Sequence, residues 1–221
     1  MSQCLQVEID PLKITEEYLN GVLVAVDVLP FSPEEYPAGP DYPVCLVAAA
    51  HTSGLSSISR AYVKLFVAAT ASELEEGQVL KGFLSYLDMF DGGTVAAHYG
   101  ACEDIEHGFD LPYVMLRARD CHPGLYPQLR HALLKFRKHD TCAFVKDHLN
   151  MPSADLDYVE NYYGLRRCDD ARVEDARAGL AAYWRSGDQA VIKYALANAY
   201  NCLRIAQSQI RKTICCTDIP L

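Results

Sequence analysis

Two stretches constrain this chain more than any other: "VLVAVDVL" at 22–29 and "VCLVAAA" at 44–50. Both are close to continuously apolar and rich in Val, Leu and Ala, yet each is far shorter than the roughly 20 residues of a membrane-spanning helix. Apolar runs of this length, without polar alternation, read as strands covered on both faces. A chain holding two of them is expected to build its core on a sheet. "CLQVEI" at 4–9 alternates Leu5, Val7 and Ile9 with Gln6 and Glu8, the pattern of a half-buried strand. Between the two runs, "PFSPEEYPAGPDYP" carries five of the eleven prolines. It is too short and too aromatic for a domain linker and reads as a rigid exposed loop.

Beyond residue 55 helical spacing dominates. Ser56 or Ser57 is expected to cap a helix through Val63, Leu65 and Phe66. Ser72 and Glu75 make a capping box, each side chain satisfying a free N–H of the other's residue. The helix that follows places Val79, Leu80, Phe83, Leu84 and Leu87 on one face. A helix from Thr94 through His98 and Cys102, then a strand at 112–116, are expected next. "LYPQLRHALLKFRK" reads as one amphipathic helix with Leu125, Leu129, Leu133 and Phe136 inward. Asp140 or Thr141, Ser153, and Asp169 or Asp170 are expected to open further helices, the last stopping at Gly187 in the left-handed position. Asp188 opens the longest helix. Its inward stripe is Ile192, Leu196, Ala199, Leu203, Ala206 and Ile210, with Asn201, Arg204, Gln207 and Arg211 facing out.

The fold class expected is therefore α+β, predominantly α: a small N-terminal β-sheet followed by a multi-helix body. One domain over 1–221 is expected, with 1–55 mainly strands and the Pro-rich loop, and 56–221 mainly helical. The first ten residues lack a basic run and an apolar core, so they are not read as a signal peptide. With no membrane-length apolar run, an intracellular setting, cytoplasmic or nuclear, is expected. Nine cysteines at irregular spacing in a chain of this size read as reduced, core-filling thiols.

Charge is segregated. Residues 1–110 sum to −13 and residues 111–148 to +4, within a net −9. An acidic first half repels phosphates, so nucleic acid ranks behind protein as a partner, and no membrane partner is expected. Opposite charges on one chain favour contact with itself or another protein. The expected interface residues are Arg130, Lys135, Arg137 and Lys138 on the basic helix, with Leu196, Ala199, Leu203 and Ala206 on the alanine-lined one.

Two clusters carry possible chemistry. In "LVAAAHTSGLSSISR" at 46–60, a strand, a loop and a helix start would aim backbone N–H groups at an anion. Thr52, Ser53, Gly54, Ser56 and Arg60 are its anion-binding candidates, and His51 and Ser53 the catalytic ones. The motif lacks the spacing of a P-loop or a nucleophile elbow, and plain capping explains the serines. The second cluster is His98, Cys102, His107, Cys121 and His122. Four of them would suit tetrahedral zinc, but no paired C-x2-C knuckle is present, and packing explains them better. No cofactor is expected, zinc being the one alternative. The function favoured by the sequence is a non-enzymatic protein–protein interaction or assembly subunit. The alternatives are an enzyme binding a phosphorylated small molecule at 46–60, and a zinc-stapled module binding nucleic acid through the basic helix 125–139.

Overall fold

The computed structural model describes residues 21–53, 60–101, 108–149, 151–167 and 173–216. Five strands make one sheet: β1 (Val22–Pro30), β2 (Val44–Ser53), β3 (Tyr62–Val67), β4 (Gly93–Ala97) and β5 (Phe136–Asp140), in the order β3-β2-β1-β4-β5. β1 pairs antiparallel with β2, and β2 with β3, while β1–β4 and β4–β5 are parallel. The two apolar runs are thus the inner strands β1 and β2. Residues Leu23 to Val26 and Val44 to Ala50 are at most 2% exposed, as strands with both faces covered must be.

Seven helices are described: α1 (Glu73–Leu87), α2 (Asp110–Cys121), α3 (Tyr126–Leu134), α4 (Thr141–His148), α5 (Leu156–Tyr162), α6 (Ala176–Ser186) and α7 (Ala190–Cys216). α7 packs along β1 and β2, α1 against β2, and α2 against β1. Ala199, Leu203 and Ala206 are fully buried in the core this makes. The small residues of α7 therefore serve internal packing rather than an interface between chains. Asn201 and Gln207, expected to face out, are 3% and 5% exposed. Their side of α7 is covered because α4 and α5 pack there as well.

The capping expectations hold in part: Asp155 rather than Ser153 precedes α5, and Glu75 Oε2 takes the Ala69 N–H at 3.0 Å rather than that of Ser72. Ser72 accepts from the Glu75 N–H, Asp140 accepts from Cys142 and Ala143 to start α4, and Gly187 ends α6 at φ +73°. Four segments differ. Residues 62–67 form β3, not a helix: β-branched and aromatic residues pair there with β2, from Leu46–Val67 to His51–Tyr62. Residues 93–97 form β4, with Thr94 to Ala97 buried between β1 and β5. Residues 112–116 lie in α2, where Leu111, Val114 and Ala118 share the buried face. Pro112 is tolerated in its first turn because no N–H is needed there. Finally, the single helix expected at 125–138 is split, α3 ending at Leu134 and β5 starting at Phe136.

Two of the five strands thus lie among the helices, so the fold is a mixed α+β one and its sheet is not confined to the N-terminal region. The strand expected at 4–9 and the caps expected at Ser56, Ser57, Asp169 and Asp170 fall outside the described residues. No helix among those described is long and apolar enough to cross a membrane.

Candidate functional site at the ends of β1 and β4

β1 and β4 run in parallel and are paired as far as Ala25 and Ala96. Asp27 stands on β1 just past that pairing, at the edge where carboxyl ends of parallel strands leave a crevice. Asp110 opens α2 beside it, and its Oδ1 accepts the Val28 N–H at 2.9 Å. So close an approach depends on Gly100, because a Cβ there would overlap the Asp110 backbone nitrogen. From α7, Asn198 donates its Nδ2–H to Asp27 Oδ1 at 3.0 Å. Tyr194 lies one turn earlier on the same helix face.

Electrostatics follow from this crowding. Asp27 is partly exposed as a residue, but its Oδ2 is sealed from solvent and has no hydrogen-bond partner, as is also true of Asn198 Oδ1. Desolvation pushes the Asp27 carboxyl up to about 7, against the Asn198 hydrogen bond and the Arg167 guanidinium, which favour its charge. Asp110, 6% exposed, is raised well above the ordinary carboxylate range by burial first and by Asp27 second. Two such neighbours do not both ionise at neutral pH. Burial, then Asp27, also raises Tyr194. Arg167 is held by Glu160 at 2.6 and 2.7 Å and lies 5.5 Å over the Tyr194 ring.

The Pro-rich loop forms one wall of the site. Tyr113 of α2 donates its hydroxyl to Tyr42 O at 2.6 Å, and Arg117 donates to Pro40 O. Arg117 is itself paired with Glu76, both being at most 3% exposed, and Glu76 also receives the Val44 N–H and His122 Nε2. The loop so anchored presents Tyr36. This residue is 53% exposed, and its ring meets Tyr99 and Phe109 edge-on at 5.5 and 5.3 Å. Tyr99 takes a left-handed φ of +68°, alone among the described non-glycine residues. The exposed Lys146 lies 5.4 Å over its ring. Asp140 accepts the Tyr99, Gly100 and Ala101 N–H groups at 3.3, 2.6 and 3.2 Å, which holds this turn in place.

The fold is shared with two nucleic-acid enzymes. A family B DNA polymerase from the hyperthermophilic archaeon Pyrobaculum calidifontis matches with a TM-score of 0.66 at 17% identity. The match covers 88% of this chain and 25% of the polymerase, so this chain spans about a quarter of that protein. A 3'-exonuclease, whose structure describes 3'-end-specific recognition of the histone mRNA stem-loop, matches with a TM-score of 0.50 at 9% identity. That match covers 88% of this chain and 83% of the exonuclease. No family model and no curated protein matches the sequence. These likenesses overturn the expectation of a non-enzymatic assembly subunit and the structural and oligomerisation roles that went with it.

Polymerases and nucleases commonly use two divalent cations, about 3.5–4 Å apart, to activate the attacking oxygen and stabilise the leaving one. Such hard cations need several anionic oxygen ligands. Here two carboxylates and one neutral amide converge. Leu29, the next residue on the same face of β1, is apolar, and Asp110 has given one oxygen to Val28. Among the described residues no three His, Cys, Asp or Glu side chains group so as to hold a metal. This donor set does not fit a two-cation centre.

The residues singled out from sequence lie elsewhere. His51 stacks on Tyr62 at 5.2 Å and meets the Tyr86 hydroxyl at 2.7 Å, an aromatic setting whose burial lowers its pKa. Ser53 ends β2, Thr52 is buried and Arg60 is exposed, while Gly54 and Ser56 fall outside the described residues. Residues 62–67, expected to belong to the helix that was to aim N–H groups at an anion, are strand β3 instead. His98 spends its ring nitrogens on Thr141 Oγ1 and Ala154 O, both at 2.8 Å. His122 is engaged by Glu76, with Cys121 beside it at the end of α2. Cys102 and His107 lie outside the described residues. The basic stripe is dispersed: Arg130 is exposed on α3, Lys135 pairs with Asp88 at 3.1 Å, Lys138 Nζ donates to Leu133 O and Phe136 O, and Arg137 lies on β5. Leu196 is half-buried against the core.

Proposed function

We propose that this chain is a nucleic-acid-processing domain that takes the end of a single strand into the crevice of Asp27, Asp110 and Asn198. The observation that carries this reading is Tyr36, a half-exposed ring held edge-on by two others directly beside the buried acids. Stacking a base on such a ring is sequence-tolerant, since every base has a π face. The polymerase and the exonuclease that share the fold support nucleic acid as the substrate class. A terminal base stacks on Tyr36, and Lys146 lies near enough to the Tyr99 wall to meet a backbone phosphate. The acidic balance of the chain, −9, works against a backbone-only mode. Aromatic contact therefore supplies much of the affinity.

The test is fluorescence anisotropy with short single-stranded DNA and RNA oligonucleotides. Saturable binding by either, lost in Tyr36→Ala and kept in Arg130→Ala, supports the reading. Absence of binding by both, or binding that Tyr36→Ala leaves untouched, overturns it.

A further inference from the structure

Asp27 and Asn198 are already joined through one arm, Asn198 Nδ2–H to Asp27 Oδ1, and each has its other oxygen sealed and without a donor. Among the described residues these are the two buried side-chain polar atoms left unsatisfied. Two acceptors without a hydrogen, on one already-bonded pair, lack a proton between them. A carboxylic acid and an amide form two antiparallel hydrogen bonds when the acid is protonated, and a proton on Asp27 Oδ2 would give the second, to Asn198 Oδ1.

We infer that the Asp27–Asn198 pair holds a shared proton where a nuclease centre would hold metal, so that this crevice retains a strand end without hydrolysing it. The inference rests on the proposed strand binding for its biological meaning, but not for its chemistry. The groups facing the pair favour this state. Asp110 of α2 opposes a second negative charge, and Asp140 acts on Asp110 in the same sense. Tyr194 of α7 stays protonated beside Asp27, raised by burial, by Asp27 and by Glu35 of the loop, and brings no cation to the pair. Among the described residues Arg167 is the cation that pulls the other way, and Glu160 and Asp157 already claim its charge. Leu29 supplies no further oxygen. Metal-assisted hydrolysis by two cations would need more anionic oxygen ligands than two carboxylates and the neutral Asn198 amide supply.

Two readouts test this without any strand. In the infrared spectrum at neutral pH, wild type is expected to show more protonated-carboxyl C=O absorption than Asp27→Asn, in which only the Asp110 contribution remains. In Mn2+ titrations followed by electron paramagnetic resonance, wild type is expected to show no Mn2+ bound in a way that Asp27→Asn abolishes. Leu29→Glu/Asn198→Asp, which adds two carboxylates, should gain Mn2+ affinity by tenfold or more. Cleavage assays of a 5'-labelled oligonucleotide with Mg2+ or Mn2+ should show no shortening by wild type. The inference is overturned by Mn2+ binding that Asp27→Asn removes, by an infrared band unchanged in Asp27→Asn, or by divalent-dependent shortening that needs Asp27. Failure of wild type to bind oligonucleotide would overturn the proposed function alone, because the metal and infrared results stand without it.

Discussion

Asn198 reaches across the core from α7 to donate to Asp27 Oδ1 on β1 at 3.0 Å, and the two residues are 171 positions apart in the chain. The contact joins the helix and strand that build the largest part of the core, and it puts a polar pair at their packed interface. Such a pair inside a core costs stability unless fully satisfied. Its retention there is more readily understood as serving the site than the fold.

That cost yields a prediction with a definite sign. The Asp27 carboxyl is raised from 3.8 to about 7, so the folded state holds its proton over a range in which the unfolded chain has released it. Below the lower value the acid is protonated in both states; between the two, stability falls by about 1.4 kcal/mol per pH unit; above the higher value the loss is complete. Asp27→Asn removes this slope. Urea midpoints at about pH 5 and about pH 8 should differ more for wild type than for the variant, and the variant should be the more stable at the higher pH. An equal pH dependence in the two proteins would contradict the burial of an ionisable Asp27.

The inner strands were legible because β1 and β2 are buried on both faces, so apart from Asp27 and the His51–Ser53 end of β2 their sequences are apolar. Asp27 itself was the visible signal, an acid in the middle of an apolar strand. Its meaning depends on Asp110 and Asn198, which arrive from two helices 83 and 171 residues later, and no local pattern links them. β3, β4 and β5 were harder for a related reason. β4 is only five residues long, β5 reads "FRKHD" directly after a helical pattern, and parallel pairing with β1 is a long-range choice. Position-by-position spacing also misplaced 112–116, where a proline in a first helical turn imitates a strand start.

Tyr36 provides the second prediction. Tyr36→Ala should weaken single-strand binding by about 1–3 kcal/mol, the worth of one stacked base, while Tyr36→Phe keeps most of the affinity. Raising the salt should weaken binding less than is usual for proteins that neutralise many phosphates, because few cations line the crevice. Anisotropy titrations at several salt concentrations check both. A steep salt dependence with no effect of Tyr36→Ala would place the strand elsewhere.

Arg117 supplies a structural control. It neutralises Glu76 at 0% exposure and carries the Pro40 end of the loop that bears Tyr36. Arg117→Ala leaves the buried Glu76 carboxylate without its guanidinium, with only the Val44 N–H and His122 Nε2 on it, and should destabilise the chain by about 3–5 kcal/mol. Replacing both partners, Glu76→Gln with Arg117→Met, should recover part of that loss. A double-mutant cycle by urea unfolding measures the coupling, and additive effects would show that the pair is not interacting.

Asp140 gives the last prediction, because one carboxylate serves both fold and site. Its Oδ1 accepts the Cys142 and Ala143 N–H groups at 2.9 Å and starts α4, while the same side chain gathers the N–H groups of Tyr99, Gly100 and Ala101. Those three follow β4 after the single residue His98, and Gly100 is the residue that lets Asp110 approach. Asp140→Ala therefore removes a helix cap and strands three further donors, at a loss of roughly 3 kcal/mol or more. Asp140→Asn keeps an acceptor oxygen and should lose less. The left-handed Tyr99 keeps only its carbonyl bond to the Phe109 N–H at 2.7 Å and its ring contacts, so strand binding should fall in Asp140→Ala even below its unfolding transition. Chemical denaturation and anisotropy on the same preparations separate the two effects. A variant that is destabilised yet binds as wild type would show that the turn at 99–101 keeps its shape without Asp140.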